Sequence, residues 1–263
     1  MMETEILNNE YYLFIAISLI LSHLITDFIL QPTVWVEKKR EFGFRTKYFW
    51  LHVFLSALVP YIIVHQWNLW LLPVVIFVTH TIIDYWKISR EKRNAELNDV
   101  AKNLKSTTHL FIIDQVLHLL VLVGLFFFIT DIKLFTLIDG ITCSDSLFAL
   151  IIITSVILLL SPSGIMIGSL TEQFRKELND NDSLRKAGMY IGVFERLLVF
   201  VFVILGQYGG IGFLLASKSI LRIARGEEKE GRKKTEYVLI GTLISFTIAL
   251  IVGLIAKYLL ESI

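Results

Sequence analysis

Apolar residues fill blocks at 11–30, 48–64, 69–86, 109–130, 147–170 and 238–260, separated by polar and charged stretches. A membrane-crossing helix needs about 20 mainly apolar residues, so these blocks predict six full crossings. Pro162 and Gly164 interrupt the fifth block. Proline removes a backbone donor and clashes with the preceding turn, which predicts a kink or an early end there.

The stretch 191–224 is also apolar, but Gly206, Gly209, Gly210 and Gly212 crowd its middle and signal a turn. The basic residues decide how it is read. They gather in four linkers: Lys38, Lys39, Arg40, Arg45 and Lys47; Lys87, Arg90, Lys92, Arg93, Lys102 and Lys105; Arg175, Lys176, Arg185 and Lys186; and Arg222, Arg225, Lys229, Arg232, Lys233 and Lys234. Only Lys133 and Lys257 lie in the other extramembrane regions. The positive-inside rule assigns all four clusters to the cytoplasm. That holds only if the N-terminus lies outside and 191–224 enters and leaves on one side. The stretch is therefore expected to form a helical hairpin or re-entrant pair turning at 206–212, its backbone shielded by neighbouring helices, with the C-terminus outside.

Composition agrees with this pattern. With 55% hydrophobic residues and a mean hydropathy of +0.66, the 263-residue chain reads as an all-α, polytopic transmembrane helical bundle. A formal net charge of +1 offers no global basic field for nucleic acid. Cys143 is the only cysteine, which excludes an internal disulfide and cysteine-rich metal sites, so any metal must use His and carboxylates. Residues 1–10 carry no Lys or Arg and no small-residue cleavage pattern follows the first block, so it reads as a retained helix. The end of the sequence offers no lipidation motif. The linkers 91–105 and 225–234 read as solvated loops, the second alternatively drawn to anionic headgroups.

The chemistry lies inside the apolar blocks. His23, Asp27 and Gln31 follow one another at four-residue steps on one helical face. His80 with Asp84, and Asp114 with His118, repeat the same spacing, and His52 opens the second block. At about 1.5 Å rise per residue, the seven His and Asp groups fall roughly 4 to 16 Å below the cytoplasmic boundary, in one layer. An ionisable group at membrane depth costs about 2.5 to 3.5 kcal/mol on insertion scales and is a functional candidate by default. The layer fits a site for one or two ions, with His23, Asp27, His80, Asp84, Asp114 and His118 as ligands and His52 as ligand or general base. Neutral imidazole and carboxylate suit zinc, manganese or iron. An ion pathway or interhelical hydrogen bonding uses the same groups. Gln31, Lys38 and Lys87, with Lys39 and Arg45, ring the cytoplasmic mouth, either to meet a phosphate or headgroup or simply to set topology. His65, beside Trp67 and Trp70 at the outer side, and His109 at the cytoplasmic surface read as solvated. Further on, Glu195 is placed to pair with Lys218 or Arg222 across the hairpin, and Gly241 with Ser245 suits close helix packing.

The pattern His23-x3-Asp27-Phe28-x-Leu30-Gln31-Pro32, Lys38 or Lys39, His52, His80-x3-Asp84-x2-Lys87 and Asp114-Gln115-x2-His118 resembles the bacterial membrane family called domain of unknown function 3307. Glu195-Arg196-Leu197-Leu198, Ile211-Gly212-Phe213 with Lys218 to Arg222, and Glu236-Tyr237-x-Leu-Ile-Gly241-Thr242-Leu243 resemble its longer members. The resemblance implies a bacterial inner-membrane protein and no established reaction. A looser similarity of the His-rich helices is to membrane-bound metal-dependent hydrolases.

The sequence thus predicts an N-terminal four-helix unit, 1–130, carrying the polar layer, and a C-terminal unit, 131–263, containing the broken hairpin. Its leading function is metal-assisted hydrolysis of a lipid-linked or phosphorylated substrate at the inner leaflet. The alternatives are an ion- or proton-coupled transporter or channel, and a non-catalytic membrane assembly protein. A tag at Asn8 should react with an impermeant reagent from outside the cell; labelling from the cytoplasm instead would invert every depth assignment above.

Overall fold

The computed structural model describes residues 2–96, 100–131, 143–176, 185–223 and 229–263. Lys133 and Arg225 lie outside the described residues. So do the side chains of Lys102, Lys105, Arg175, Lys176, Arg185, Lys186, Arg222, Lys229, Arg232, Lys233 and Lys234.

The described residues are helical, with no strand among them. Among the described residues, six helices are long and apolar enough to cross a membrane, spanning Glu10–Ile29, Lys47–Val64, Leu71–Asn94, Thr108–Thr130, Ser146–Glu172 and Thr235–Glu261. They match the six apolar blocks, and the protein is a membrane-embedded helical bundle.

Contacts divide the chain into two units, Met1–Thr154 and Ser155–Ile263. The boundary expected from sequence, 130/131, sits instead at the end of α5. In the first unit, α1 (Met2–Leu24) runs into one π-helical turn (Ile25–Ile29), followed by the short α2 (Thr33–Phe42), then α3 (Lys47–Val64), α4 (Leu71–Glu96) and α5 (Val100–Asp131). Helix α1 packs on α3 and α5, α3 on α4, and α4 on α5, so the four long helices close into a ring. One half of that ring is apolar. Ile15, Leu19, Leu72 and Ile129 are fully buried there among Tyr11, Ala57, Val64 and Leu125. His65 ends α3 at this apolar end in the left-handed conformation (φ 54°), its ring 4.8 Å from Trp67. His109 is exposed near the other end.

Several helices outrun their apolar blocks. Helix α4 continues through Glu91 to Glu96 and α5 begins at Val100, so most of the linker expected as a solvated loop is helical. Helix α10 (Lys229–Glu261) likewise takes up much of 225–234. Backbone hydrogen bonding does not stop at the membrane boundary when the flanking residues are good helix formers such as Glu, Lys and Arg.

In the second unit, α6 (Cys143–Leu160), which starts in the first, gives way to α7 (Pro162–Lys176) at the expected interruption, with Pro162 at the first position of the new helix. The expected hairpin is present as α8 (Arg185–Ile204) and α9 (Tyr208–Ile223). They turn at Gly206, whose φ of +69° suits glycine, and Lys218 Nζ lies 2.7 Å from Glu195 Oε2 across them. Arg222, the other expected partner, has no described side chain.

Helices α8 and α10 pack closely through a stripe formed by Ser245, Ala249, Gly253 and Ala256 on α10. The tightest point is Gly253, where an added Cβ would lie 2.9 Å from Val203 Cβ. Gly241, expected from its spacing to pack closely, has open space around it. Gly253→Val should therefore destabilise the second unit by about 1 to 3 kcal/mol through overpacking. Gly241→Ala should not, as read by thermal unfolding in detergent.

Candidate metal centre

The polar half of the first unit is built by six elements, beginning with α1, which supplies His23. The π-helical turn, in which Leu30 N–H donates to Ile25 O, replaces the last regular turn before Pro32 and carries Asp27. Such turns add a residue to one helical turn and recur at functional sites. Helix α3 supplies His52, α4 supplies His80, Asp84 and Lys87, and α5 supplies Asp114, Gln115 and His118. Helix α2, which the sequence reading passed over as linker, supplies Lys39.

Asp27 lies at the centre. Its Oδ1 is 3.6 Å from His23 Nδ1, 3.8 Å from His52 Nε2 and 3.8 Å from His80 Nε2. Its other short contact is the Thr26 hydroxyl, 3.4 Å away. The His23 and His118 rings stack with centroids 5.2 Å apart, and those of His80 and His118 lie 4.3 Å apart. The His52 and His80 Nε2 atoms approach to 2.9 Å, with the Ser56 hydroxyl 3.3 Å from His80 Nε2. All seven expected His and Asp groups are thus gathered at one level, from four helices.

The other two carboxylates carry ammonium groups. Lys39 Nζ sits 2.7 Å from Asp84 Oδ2, both side chains buried. Lys87 Nζ sits 2.6 Å from Asp114 Oδ2, which also accepts from Gln115 Nε2 at 3.0 Å. Lys38, expected at the mouth, instead faces outward and pairs with Glu41 at 2.9 Å. That hydrogen bond raises its ammonium above the ordinary lysine value. On a short helix, adjacent residues point about 100° apart, so only one of the two lysines can reach the interior, and it is Lys39.

Hydrogen bonds fix the protons on two imidazoles. Gln115 gives its amide N–H to Asp114, so its Oε1 must accept, and the donor is His23 Nε2 at 3.2 Å. His23 Nδ1 then faces the Asp27 carboxylate 3.6 Å away. On α5, His118 Nδ1 donates to the Asp114 backbone carbonyl at 2.9 Å, leaving His118 Nε2 buried with no hydrogen-bond partner. His52 Nδ1 and Asp114 Oδ1 are also buried and unpartnered. Buried polar atoms left unsatisfied cost about 1 to 3 kcal/mol each, which a bound cation would relieve.

The spacing suits one. Ligand atoms about 2.0 to 2.1 Å from a tetrahedral zinc ion lie about 3.4 Å from one another, and the distances from Asp27 Oδ1 to the imidazole nitrogens of His23, His52 and His80, 3.6 to 3.8 Å, are slightly longer. Ligand-capable atoms of Asp27, His80 and His118 lie within 4.8 Å of one another, as do those of His52, His80 and Asp84, and of Asp84, Asp114 and His118.

Two small cavities flank this layer. One, on the apolar side, is lined by His23, His80 and His118 with Ser56, Pro60 and Leu122. The other, beside α2, is lined by Asp27, Gln31, Lys39, Arg40, Asp84 and Lys87. Gln31 and Lys87 thus line the α2-side cavity, and Lys38 is not among its walls.

Residues 15–142 match a family model described as protein of unknown function (DUF3307), which supports that family over the part of the chain containing the whole layer. No curated protein and no solved structure matches the chain.

Removing Asp84 alone, as Asp84→Leu, leaves the Lys39 ammonium buried without a counter-charge. It should cost about 3 to 5 kcal/mol of stability, most of it recovered in the Lys39→Met/Asp84→Leu double variant. Lys38→Ala, which breaks an exposed pair, should leave unfolding in detergent unchanged.

Proposed function

We propose that the Asp27-centred cluster is a divalent metal centre, for zinc, manganese or iron, that hydrolyses a lipid-linked or phosphorylated substrate at the membrane surface. The observation that carries this reading is His23 Nδ1 facing the Asp27 carboxylate at 3.6 Å, with a ligand nitrogen of His118, whose Nε2 has no hydrogen-bond partner, within 4.8 Å of a carboxylate oxygen of Asp27. Both imidazoles are held by hydrogen bonds on their other nitrogen, the arrangement by which proteins orient metal-ligating histidines.

A bound divalent ion supplies the acidity that brings water to its hydroxide form near neutral pH. The chain's own residues supply the rest. Asp27, His23, His80 and His118 hold the ion. His52, close to both Asp27 and His80, is placed to accept the proton of a water as general base. The cavity beside α2 joins Asp27 to Lys39, Arg40 and Lys87, so an anionic substrate entering there meets cationic side chains before it meets the cluster. By the positive-inside rule that end faces the cytoplasm and both termini lie outside; the resemblance to the family implies that the membrane is the bacterial inner one.

The apolar half of the ring favours hydrolysis over transport. An ion or proton relay continuing past His80 and His118 would have to cross the packed layer of Ile15, Leu19, Leu72 and Ile129, where the buried polar side chains, among them Tyr11, Ser18 and Gln66, are not acidic or basic ligands.

Protein purified without chelators should carry stoichiometric zinc, manganese or iron. Asp27→Asn and His118→Ala should each lower metal affinity by about tenfold or more, and with it any release of phosphate from phosphorylated lipids in mixed micelles. Absence of metal after incubation with all three ions would overturn the reading. Metal-dependent flux in vesicles without turnover would replace it with transport.

A further inference from the structure

Three overlapping sets of ligand atoms occupy the layer, yet they are not equivalent. Two depend on Asp84 or Asp114, and each of those carboxylates already holds a lysine ammonium, at 2.7 and 2.6 Å respectively. Ammonium at that distance takes a lone pair that a metal would need and neutralises the charge that would attract it. The third set depends on Asp27, which no lysine reaches. Its neighbours are four imidazoles and a threonine hydroxyl at the limit of hydrogen bonding.

Charge accounting leads to the same place. With neutral imidazoles, Asp27, Asp84 and Asp114 contribute three negative charges and Lys39 and Lys87 two positive ones, so one negative charge is left, and it belongs to Asp27. A low-dielectric interior does not tolerate such a charge unpaired. One divalent ion leaves the layer at +1 and a second would leave it at +3, so one ion fits and two do not, although the donor set is rich enough for a pair.

We infer that the cluster is a one-ion centre in which the ammonium groups of Lys39 and Lys87 stand where a second metal ion would otherwise bind. This rests on the reading of the cluster as a metal centre and adds the stoichiometry and the role of the two lysines. Two-metal hydrolytic sites place their ions about 3.5 to 4 Å apart and share carboxylates between them. Here Asp84 Oδ2 lies 3.6 Å from His52 Nε2 and His80 lies between Asp27 and Asp84, 3.8 Å from one carboxylate and 4.0 Å from the other. A second ion could therefore be held by Asp84, His52 and His80 while Asp27, His23 and His118 kept the first, were Lys39 not there. Lysine supplies the positive charge with no open coordination position, so it can stabilise a neighbouring anion without activating a second water.

The two lysines arrive by different routes. Lys87 stands on α4, one turn beyond Asp84, and belongs to the ring itself. Lys39 is brought in by α2, a helix bounded by Pro32 in the extended conformation and by Gly43 at φ +66°. The filling of the Asp84 position is thus set by the docking of one short element from outside the ring.

The test is zinc stoichiometry of the full chain in detergent, measured by elemental analysis after incubation with zinc alone and removal of unbound ion. Wild-type protein should hold one zinc per chain. Lys39→Met should hold two, and Lys39→Met/Asp84→Asn should return to one. Lys39→Arg, which keeps the cation, should stay at one. If Lys39→Met does not fold, Lys39→Gln repeats the test at the same carboxylate, with two ions again expected. Two zinc ions in wild type would overturn the inference, as would one in a folded Lys39→Met or Lys39→Gln variant; both results leave the metal centre itself standing. No zinc in wild type would overturn the inference together with zinc as the ion of the proposed centre.

Discussion

Three carboxylates buried at one level of an apolar helical ring constrain everything around them. Water cannot solvate them there, and an unpaired charge in such a place is far more costly than the marginal stability of a folded domain allows. Asp84 and Asp114 are each met by a lysine, and Asp27 by four imidazoles. The π-helical turn that carries Asp27, the inward side of α2, and the orientation of Gln115 all follow from meeting these demands. So does the depth of the layer, near the end of the ring from which lysine side chains can enter.

Much of this was legible in the sequence because the medium restricts the possibilities. Within a bilayer only helices satisfy their own backbone groups, so apolar length alone gives the spans. Within a helix, residues four apart share a face, so His23 with Asp27, His80 with Asp84, and Asp114 with His118 could be placed on faces, and rise per residue then put them at one depth. The gathering of these groups from four helices needed nothing more than the ring closing.

What the sequence did not show depends on geometry that no spacing encodes. Lys38 and Lys39 are identical neighbours in a basic stretch, and only the helical register of α2 sends Lys39 inward to Asp84. The π-helical turn has no residue signature of its own. Gln115 looked like a neighbour of Asp114, yet it fixes the proton on His23 by spending its amide on Asp114. Gly241 and Gly253 are equally suitable for close packing as residues, and the contact at Gly253 is decided by where Val203 lies on α8.

The second unit shows how little polar chemistry a helical membrane fold needs for structure alone. Its buried Arg196 donates from Nε to the Leu159 carbonyl at 2.8 Å, next to the interruption at Pro162, and its Nη1 reaches the Ser245 hydroxyl at 3.5 Å. The Ser163 hydroxyl donates to the same carbonyl. One cation and two hydroxyls are enough to tie a broken helix to its neighbours. The first unit has no comparable break among α3, α4 and α5 at the level of the layer, and its other half packs mainly through apolar side chains. Three carboxylates, four imidazoles and two lysines there exceed any structural need of the ring. Two of the carboxylates have their charge returned by lysine, and that leaves the surplus at one place, the imidazole-lined surroundings of Asp27.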